Sequence, residues 1–192
     1  LINHTELKTM KIQGQSHRCL QATLGRRIMS LMLLGLILLT MEISVVAQAT
    51  DKANTTRVTY HTVKVDGVDL FYREAGPKDA PVLLLLHGFP TSSHMFRNLI
   101  PQLAGTYHVI APDYPGFGQS GMPDRLKFAY TFENYAQVVD KLIRQLGVSR
   151  YALYVMDYGA PVGFRLASKY PERVTALIVQ NGNAYNEGLE QF

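Results

Sequence analysis

The stretch that most constrains how this chain can fold is Tyr151 to Tyr170, YALYVMDYGAPVGFRLASKY. Its first six residues, Tyr151 to Met156, are aromatic, β-branched or apolar, a pattern that predicts a strand buried on both faces. From Gly159 the spacing changes: Val162, Leu166 and Ala167 recur at helical intervals until Pro171 stops the run. Asp157 therefore falls on a sharp strand-to-helix bend, where burying an acid is costly unless the site uses it. Gly159 and Gly163 allow the tight turn and close helix packing, and the helix start offers N–H groups that favour an ionised carboxylate. The plainer alternative is an aspartate that caps the helix.

The flanking segments predict an α/β fold. Thr59 to Val65 and Val68 to Arg73 are strand-like around Asp66-Gly67, a hairpin signal. Val82 to Leu86 is a short apolar run expected of a central parallel strand. A helix is expected from about Ser93 to Leu103, with Met95, Phe96, Leu99 and Ile100 on one side and a bend or early end at Pro101. Tyr107 to Ala111 is the next strand. The clearest helix spans about Phe132 to Leu146, its apolar positions repeating at three and four and Gly147 closing it. A last strand runs from Val174 to Val179. Such alternation implies a mostly parallel sheet with helices on both faces.

An aspartate on a strand–turn–helix bend resembles the nucleophile elbow of the α/β-hydrolase superfamily, with Asp where esterases carry Ser. V-M-D-Y-G at 155 to 159 looks most like the haloalkane dehalogenase and epoxide hydrolase branch. His87-Gly88-Phe89-Pro90, directly after the central strand, is similar to the loop that faces the elbow in that branch. The resemblance spans about Val63 to Asn181 and implies that Asp157 attacks an alkyl carbon, giving an ester that water cleaves. It assigns the oxyanion hole to the backbone N–H groups of Phe89 and Tyr158, close backbone approach to Gly88 and Gly159, and a structural role to His87. Tyr158 is expected to line the site and Met156 to be core. The implied substrate is a small apolar organic molecule, with no metal or cofactor.

Two departures bear on the leaving group. Haloalkane dehalogenases often hold the halide with an Asn after His-Gly and a Trp after the nucleophile, where this chain has Phe89 and Tyr158. HGFP looks more like epoxide hydrolases, but their elbow tends to carry His where Met156 stands. An epoxide hydrolase-like activity is therefore expected first and dehalogenation second. A non-catalytic, hydrolase-like binding protein or an inactive fragment is the alternative from another class. A phospho-acceptor aspartate would need neighbouring acids to hold a metal ion, and the strand ends near Leu86 and Asp113 supply one carboxylate at most.

DYPGFGQSG at 113 to 121 also resembles a loop of these hydrolases. It contains G-x-G-x-x-G at Gly116, Gly118 and Gly121, but Met122, Pro123 and Asp124 follow where a dinucleotide site needs a helix start. These glycines are expected to form a structural turn. All six histidines precede Asp157, and Asn181 stands where some dehalogenases place the orienting acid. The acid, the histidine base and the lid are expected beyond Phe192, with Asn183 to Phe192 leading into the lid, and the 192-residue chain is expected to lack turnover.

The chain starts at Leu1, which suggests a fragment or a frame read from upstream. Arg26 and Arg27, the apolar run Met29 to Met41 and Ala47-Gln48-Ala49 have the layout of a secretory signal peptide. Residues 1–49 are expected to be an upstream segment and signal peptide, and 50–192 the N-terminal part of a hydrolase domain, exported to the periplasm or secreted. Membrane attachment is expected only through an uncleaved leader. Of the net charge of +4, the leader carries +3, so the basic balance does not argue for nucleic acid. The one cysteine, Cys19, also lies there, and the remainder needs no disulfide.

Overall fold

The computed structural model describes residues 56–184 and, in the leader, the helical positions Met29, Met32, Leu34 and Gly35. The expected cleavage site after Ala49, all but the last residue of a polar lead-in expected at 50–56, and the approach to a lid from residue 185 onward lie outside the described residues. Among the described residues no helix is long and apolar enough to cross a membrane.

Among the described residues six strands form one sheet: β1 (Thr59–Val65), β2 (Val68–Ala75), β3 (Val82–Leu86), β4 (His108–Pro112), β5 (Tyr151–Met156) and β6 (Val174–Gln180). Their order is β1-β2-β4-β3-β5-β6. The β1–β2 and β2–β4 pairs are antiparallel, whereas β4, β3, β5 and β6 run parallel. The β1–β2 hairpin closes at Asp66 and Gly67, with φ of 49° and 83°. Two positive φ values in succession are what a type I′ turn requires, hence the Asp-Gly pair.

Within the described residues 56–184 the α-helices are α1 (Ile100–Leu103), α2 (Phe132–Gln145) and α3 (Gly159–Lys169). Thr131 caps α2, its Oγ1 accepting from the Asn134 N–H at 3.2 Å. The buried face of α2 (Val138, Val139, Leu142, Ile143) packs with Val162 and Leu166 of α3 and with Leu84, Leu86, Leu153 and Val155 of the sheet. The opposite sheet face packs Leu83, Leu85, Val109 and Ala111 against Phe96, Ile100 and Ala104. Leu83 to Leu86 thus supply both layers alternately, which is why β3 is continuously apolar.

Two expectations need correction. The helix expected over Ser93 to Leu103 is two pieces, a 3₁₀ turn at Ser93–Phe96 and the four-residue α1. Pro101 does not end the helix but sits in the first turn of α1, where its missing N–H costs nothing. β5 is also not buried on both faces: Tyr151, Leu153 and Val155 are buried, but Ala152, Tyr154 and Met156 are half-buried. The cover on that face is this short segment, which reaches β5 through the edge of Phe96 on the Tyr154 ring, 5.8 Å between centroids.

Candidate active site

β5 delivers Asp157 to the C-terminal end of the parallel strands, and α3 starts two residues later. Asp157 has φ 46°, the left-handed conformation that an L-residue adopts at a cost. The turn is tight because Gly159 lies against β3: a Cβ there would meet the Leu86 carbonyl oxygen at 2.2 Å. The Asp157 N–H points to the Asn181 carbonyl at 3.4 Å, tying the bend to the end of β6.

The second side of the site comes from the loop after β3. The Phe89 N–H donates to Asp157 Oδ1 at 2.7 Å. The Tyr158 N–H donates to the same oxygen at 2.6 Å. Gly88 is required for this approach, since a Cβ on it would stand 2.6 Å from Asp157 Cβ and 2.8 Å from Oδ1. Oδ2 is left without a hydrogen bond among the described residues.

Asp157 itself is exposed, not buried, so desolvation is not what makes the residue unusual. Nor is it a helix cap of the ordinary kind. A capping oxygen accepts from the second or third helical N–H, whereas Oδ1 takes the N–H groups of its neighbour Tyr158 and of a loop 68 residues away.

His87 is fully buried, and both ring nitrogens are engaged. Nδ1 lies 2.9 Å from the Gly88 carbonyl, and Nε2 accepts from the Tyr114 N–H at 3.1 Å. These partners define the tautomer: Nδ1 carries the proton. Burial lowers the His87 pKa, outweighing the Gly88 hydrogen bond and the fields of Asp113 and Asp157, which raise it. A neutral imidazole with no free nitrogen holds the loop in place and does not serve as a base. Among the described residues no histidine hydrogen-bonds to Asp157.

Asp113 was not singled out as a site residue in the sequence, yet it organises the loops around the site. It is fully buried, accepting from the Ser93 N–H at 2.7 Å and the Gln119 N–H at 2.9 Å. One carboxylate therefore joins the segment after Phe89 to the glycine-rich turn. That turn has Gly116 and Gly118 at φ 84° and 54°, and no helix follows it before Phe132. Met156 packs partly against the smaller core layer.

Phe89 and Tyr158, the two N–H donors to Asp157, also line a cleft of about 580 Å³ together with Phe117 and Phe132. Of these, Phe117 and Phe132 carry no local mark of a site, because their meeting depends on the fold. Glu133 and Arg165 lie at the same cleft and form an ion pair at 3.5 Å. A carboxylate with one oxygen fixed by two N–H groups and the other without a partner among the described residues is suited to displacement at an electrophilic carbon.

Sequence comparison agrees with this architecture. Residues 81–192 match the family model described as alpha/beta hydrolase fold. The chain belongs to that family. Haloalkane dehalogenases are among the proteins and solved structures it is similar to. An uncharacterized hydrolase of Saccharomyces cerevisiae is 54% identical over 132 residues, covering 68% of this chain and 45% of that protein. A haloalkane dehalogenase of Bradyrhizobium diazoefficiens is 46% identical over 111 residues, covering 58% of this chain and 35% of the enzyme. Among solved structures, the haloalkane dehalogenase DbeA from Bradyrhizobium elkani superposes with a TM-score of 0.61 at 41% identity, covering 64% of this chain and 41% of that one. The chain thus spans less than half the length of these relatives.

Proposed function

We propose that this α/β-hydrolase uses Asp157 as a nucleophile toward an epoxide, forming a hydroxyalkyl ester on the enzyme. The observation that carries the reading is the convergence of the Phe89 and Tyr158 N–H groups on Oδ1, at 2.7 and 2.6 Å. In this scheme Oδ2 attacks one ring carbon, and the carbon–oxygen bond at that carbon breaks. The electron pair stays on the ring oxygen, which takes a proton from water. Water then adds to Cγ, and negative charge develops on Oδ1 between the two N–H donors that already point at it. Collapse of that intermediate expels the diol and restores the carboxylate. The second step needs a base for the water proton, a role that the family resemblance gives to a histidine downstream of the elbow.

Phe89 and Tyr158 stand where haloalkane dehalogenases often carry the Asn and Trp that hold the halide, which favours an epoxide. Its opened oxygen stays on the adduct and takes a proton instead of departing as a separate ion. Haloalkane dehalogenation is the second reading, favoured by the named dehalogenases among the relatives. The leader at 26–49 supports export of the protein to the periplasm or medium.

Intact mass after incubation with each substrate class separates the readings. An epoxide adduct retains every substrate atom, whereas a haloalkane adduct lacks the elements of the hydrogen halide. The expected result is the full-mass adduct, mapped to Asp157 and absent from Asp157→Asn. No adduct from either class would refute the nucleophile reading and leave a binding protein.

A further inference from the structure

Arg73 of β2 is only 7% exposed, yet among the described residues no carboxylate stands within ion-pair distance of it. Burying a charge without an ionic partner is costly, so the groups that replace its lost water define its role. Nε donates to Ser93 Oγ at 3.1 Å, and Nη2 donates to His94 Nδ1 at 3.4 Å. The guanidinium carbon lies 5.0 Å from the centroid of the Tyr60 ring and 5.6 Å from that of Phe71, which adds cation–ring attraction.

Ser93 is where this cation meets an anion. Its hydroxyl accepts from Arg73, while its N–H donates to the fully buried Asp113 at 2.7 Å. Arg73 and Asp113 thus form a buried pair of opposite charges with one residue between them. Ser93 cannot shift without lengthening a charge-assisted bond. It ends the loop that carries Phe89, and the Thr91 N–H donates to the Gly88 carbonyl at 3.3 Å to fold the stretch between. That loop is therefore fixed by His87 before the Phe89 N–H and by Ser93 after it. The Phe89 side chain is 57% exposed, so its own packing does little to hold the donor in place.

The Ser93 anchor is sensitive to a proton. As the acceptor of the Arg73 bond, His94 Nδ1 is unprotonated, and Nε2 carries the hydrogen. The residue is exposed, so solvent protons reach it. Among the described residues the charged groups that contact it are cationic: Arg73, and Arg97, whose Nη1 donates to the His94 carbonyl at 3.3 Å. Asp113 lies beyond Ser93, and no carboxylate among the described residues pairs with His94. A proton on Nδ1 removes the acceptor and sets an imidazolium against the guanidinium.

We infer that Arg73 is a positioning residue for Asp157, acting through Ser93 on the Phe89 N–H, and that the proton state of His94 sets how firmly it acts. The effect on rate rests on Asp157 being the nucleophile, whereas the coupling of His94 to Phe89 does not.

The test follows the His94 ring and the Phe89 amide of the 192-residue chain by NMR from about pH 8 to about pH 5.5, where histidine changes charge. Both signals are expected to move with one midpoint. In His94→Asn the amide oxygen keeps an acceptor near the place of Nδ1 but does not titrate, so the Phe89 shift is expected to disappear. Any response to the Asp157 carboxyl itself would persist in that variant. Asp157 ester formation from butyloxirane is measured alongside. The two proteins are expected to react equally near pH 8, and wild type about threefold slower than His94→Asn near pH 5.5, well inside the about 10²-fold cost of a 1 Å misplacement. Arg73→Lys, which keeps the charge but not the planar fork, is expected to react about threefold slower throughout and to lose the pH dependence, with folding checked by thermal melting. A Phe89 amide that stays still while His94 titrates, or moves equally in His94→Asn, overturns the inference whatever Asp157 reacts with. Linked titration with equal rates of the two proteins at every pH overturns the positioning role. Linked titration without an adduct from butyloxirane or hexyl bromide supports the coupling and instead overturns the nucleophile reading.

Discussion

At the scale of single residues, the site depends on what is missing at Gly88 as much as on what is present at Asp157. The space a side chain would fill at Gly88 is taken by Asp157 Cβ at 2.6 Å and Oδ1 at 2.8 Å. Gly88→Ala therefore moves either the loop or the carboxylate, separating Oδ1 from the Phe89 N–H. Misplacement of a reacting group by about 1 Å costs about 10²-fold in rate. Adduct formation in Gly88→Ala is expected to fall by about that factor while the thermal midpoint changes little, because the neighbouring loop is partly exposed. A near-normal adduct rate would show that the approach of Phe89 to Asp157 does not set the reaction geometry. His87 contrasts with Gly88: its role, to brace the loop through Gly88 and Tyr114, needs a neutral ring, and burial favours that form.

At the scale of elements, β2 and β4 are joined by more than their backbone ladder. Buried Glu74 of β2 accepts from His108 Nε2 of β4 at 2.6 Å and pairs with His61 at 3.3 Å and with Lys78. Burial pushes the Glu74 carboxyl up, but hydrogen bonds from His108 and Lys78 outweigh it and hold the pKa at about 2, below its ordinary 4.5. A group whose folded pKa is depressed contributes stability that is fully present above its unfolded value and lost as pH falls to its folded one. The contribution of Glu74 is thus expected to be complete above about pH 4.5 and to vanish near pH 2. Thermal midpoints of wild type and Glu74→Gln across that range should differ most at its upper end and converge at its lower end. A constant gap would mean that Glu74 acts through packing and not through charge. This network lies on antiparallel strands away from Asp157, so the substitution probes the scaffold.

At the scale of the whole molecule, the sheet is unevenly covered. Among the described residues β6 has β5 as its one strand neighbour, and Leu177, Ile178 and Val179 are 42–47% exposed. An apolar edge strand of this length is a template for pairing with another chain. The 192-residue chain is expected to self-associate with rising concentration, and Ile178→Lys to shift it toward monomer in sedimentation. A monomeric wild type across the micromolar range would show that this edge is protected in solution. The features legible in the linear chain are local ones. Strand and helix boundaries at β3, β5, α2 and α3 follow from apolar periodicity, the hairpin from Asp-Gly, and the Asp157 bend from a strand running into a glycine-containing helix. These depend on near neighbours, so they are legible in a linear chain. The break between Phe96 and Ile100 was not legible, because proline suits a helix start as well as it ends a helix. Long-range packing, by contrast, brings Phe89 across 68 residues to Asp157, lets Asp113 tie two loops together, and closes Phe117 and Phe132 on Tyr158. Those contacts exist because the crossovers place β3 between β4 and β5, a consequence of packing that no single stretch of sequence contains.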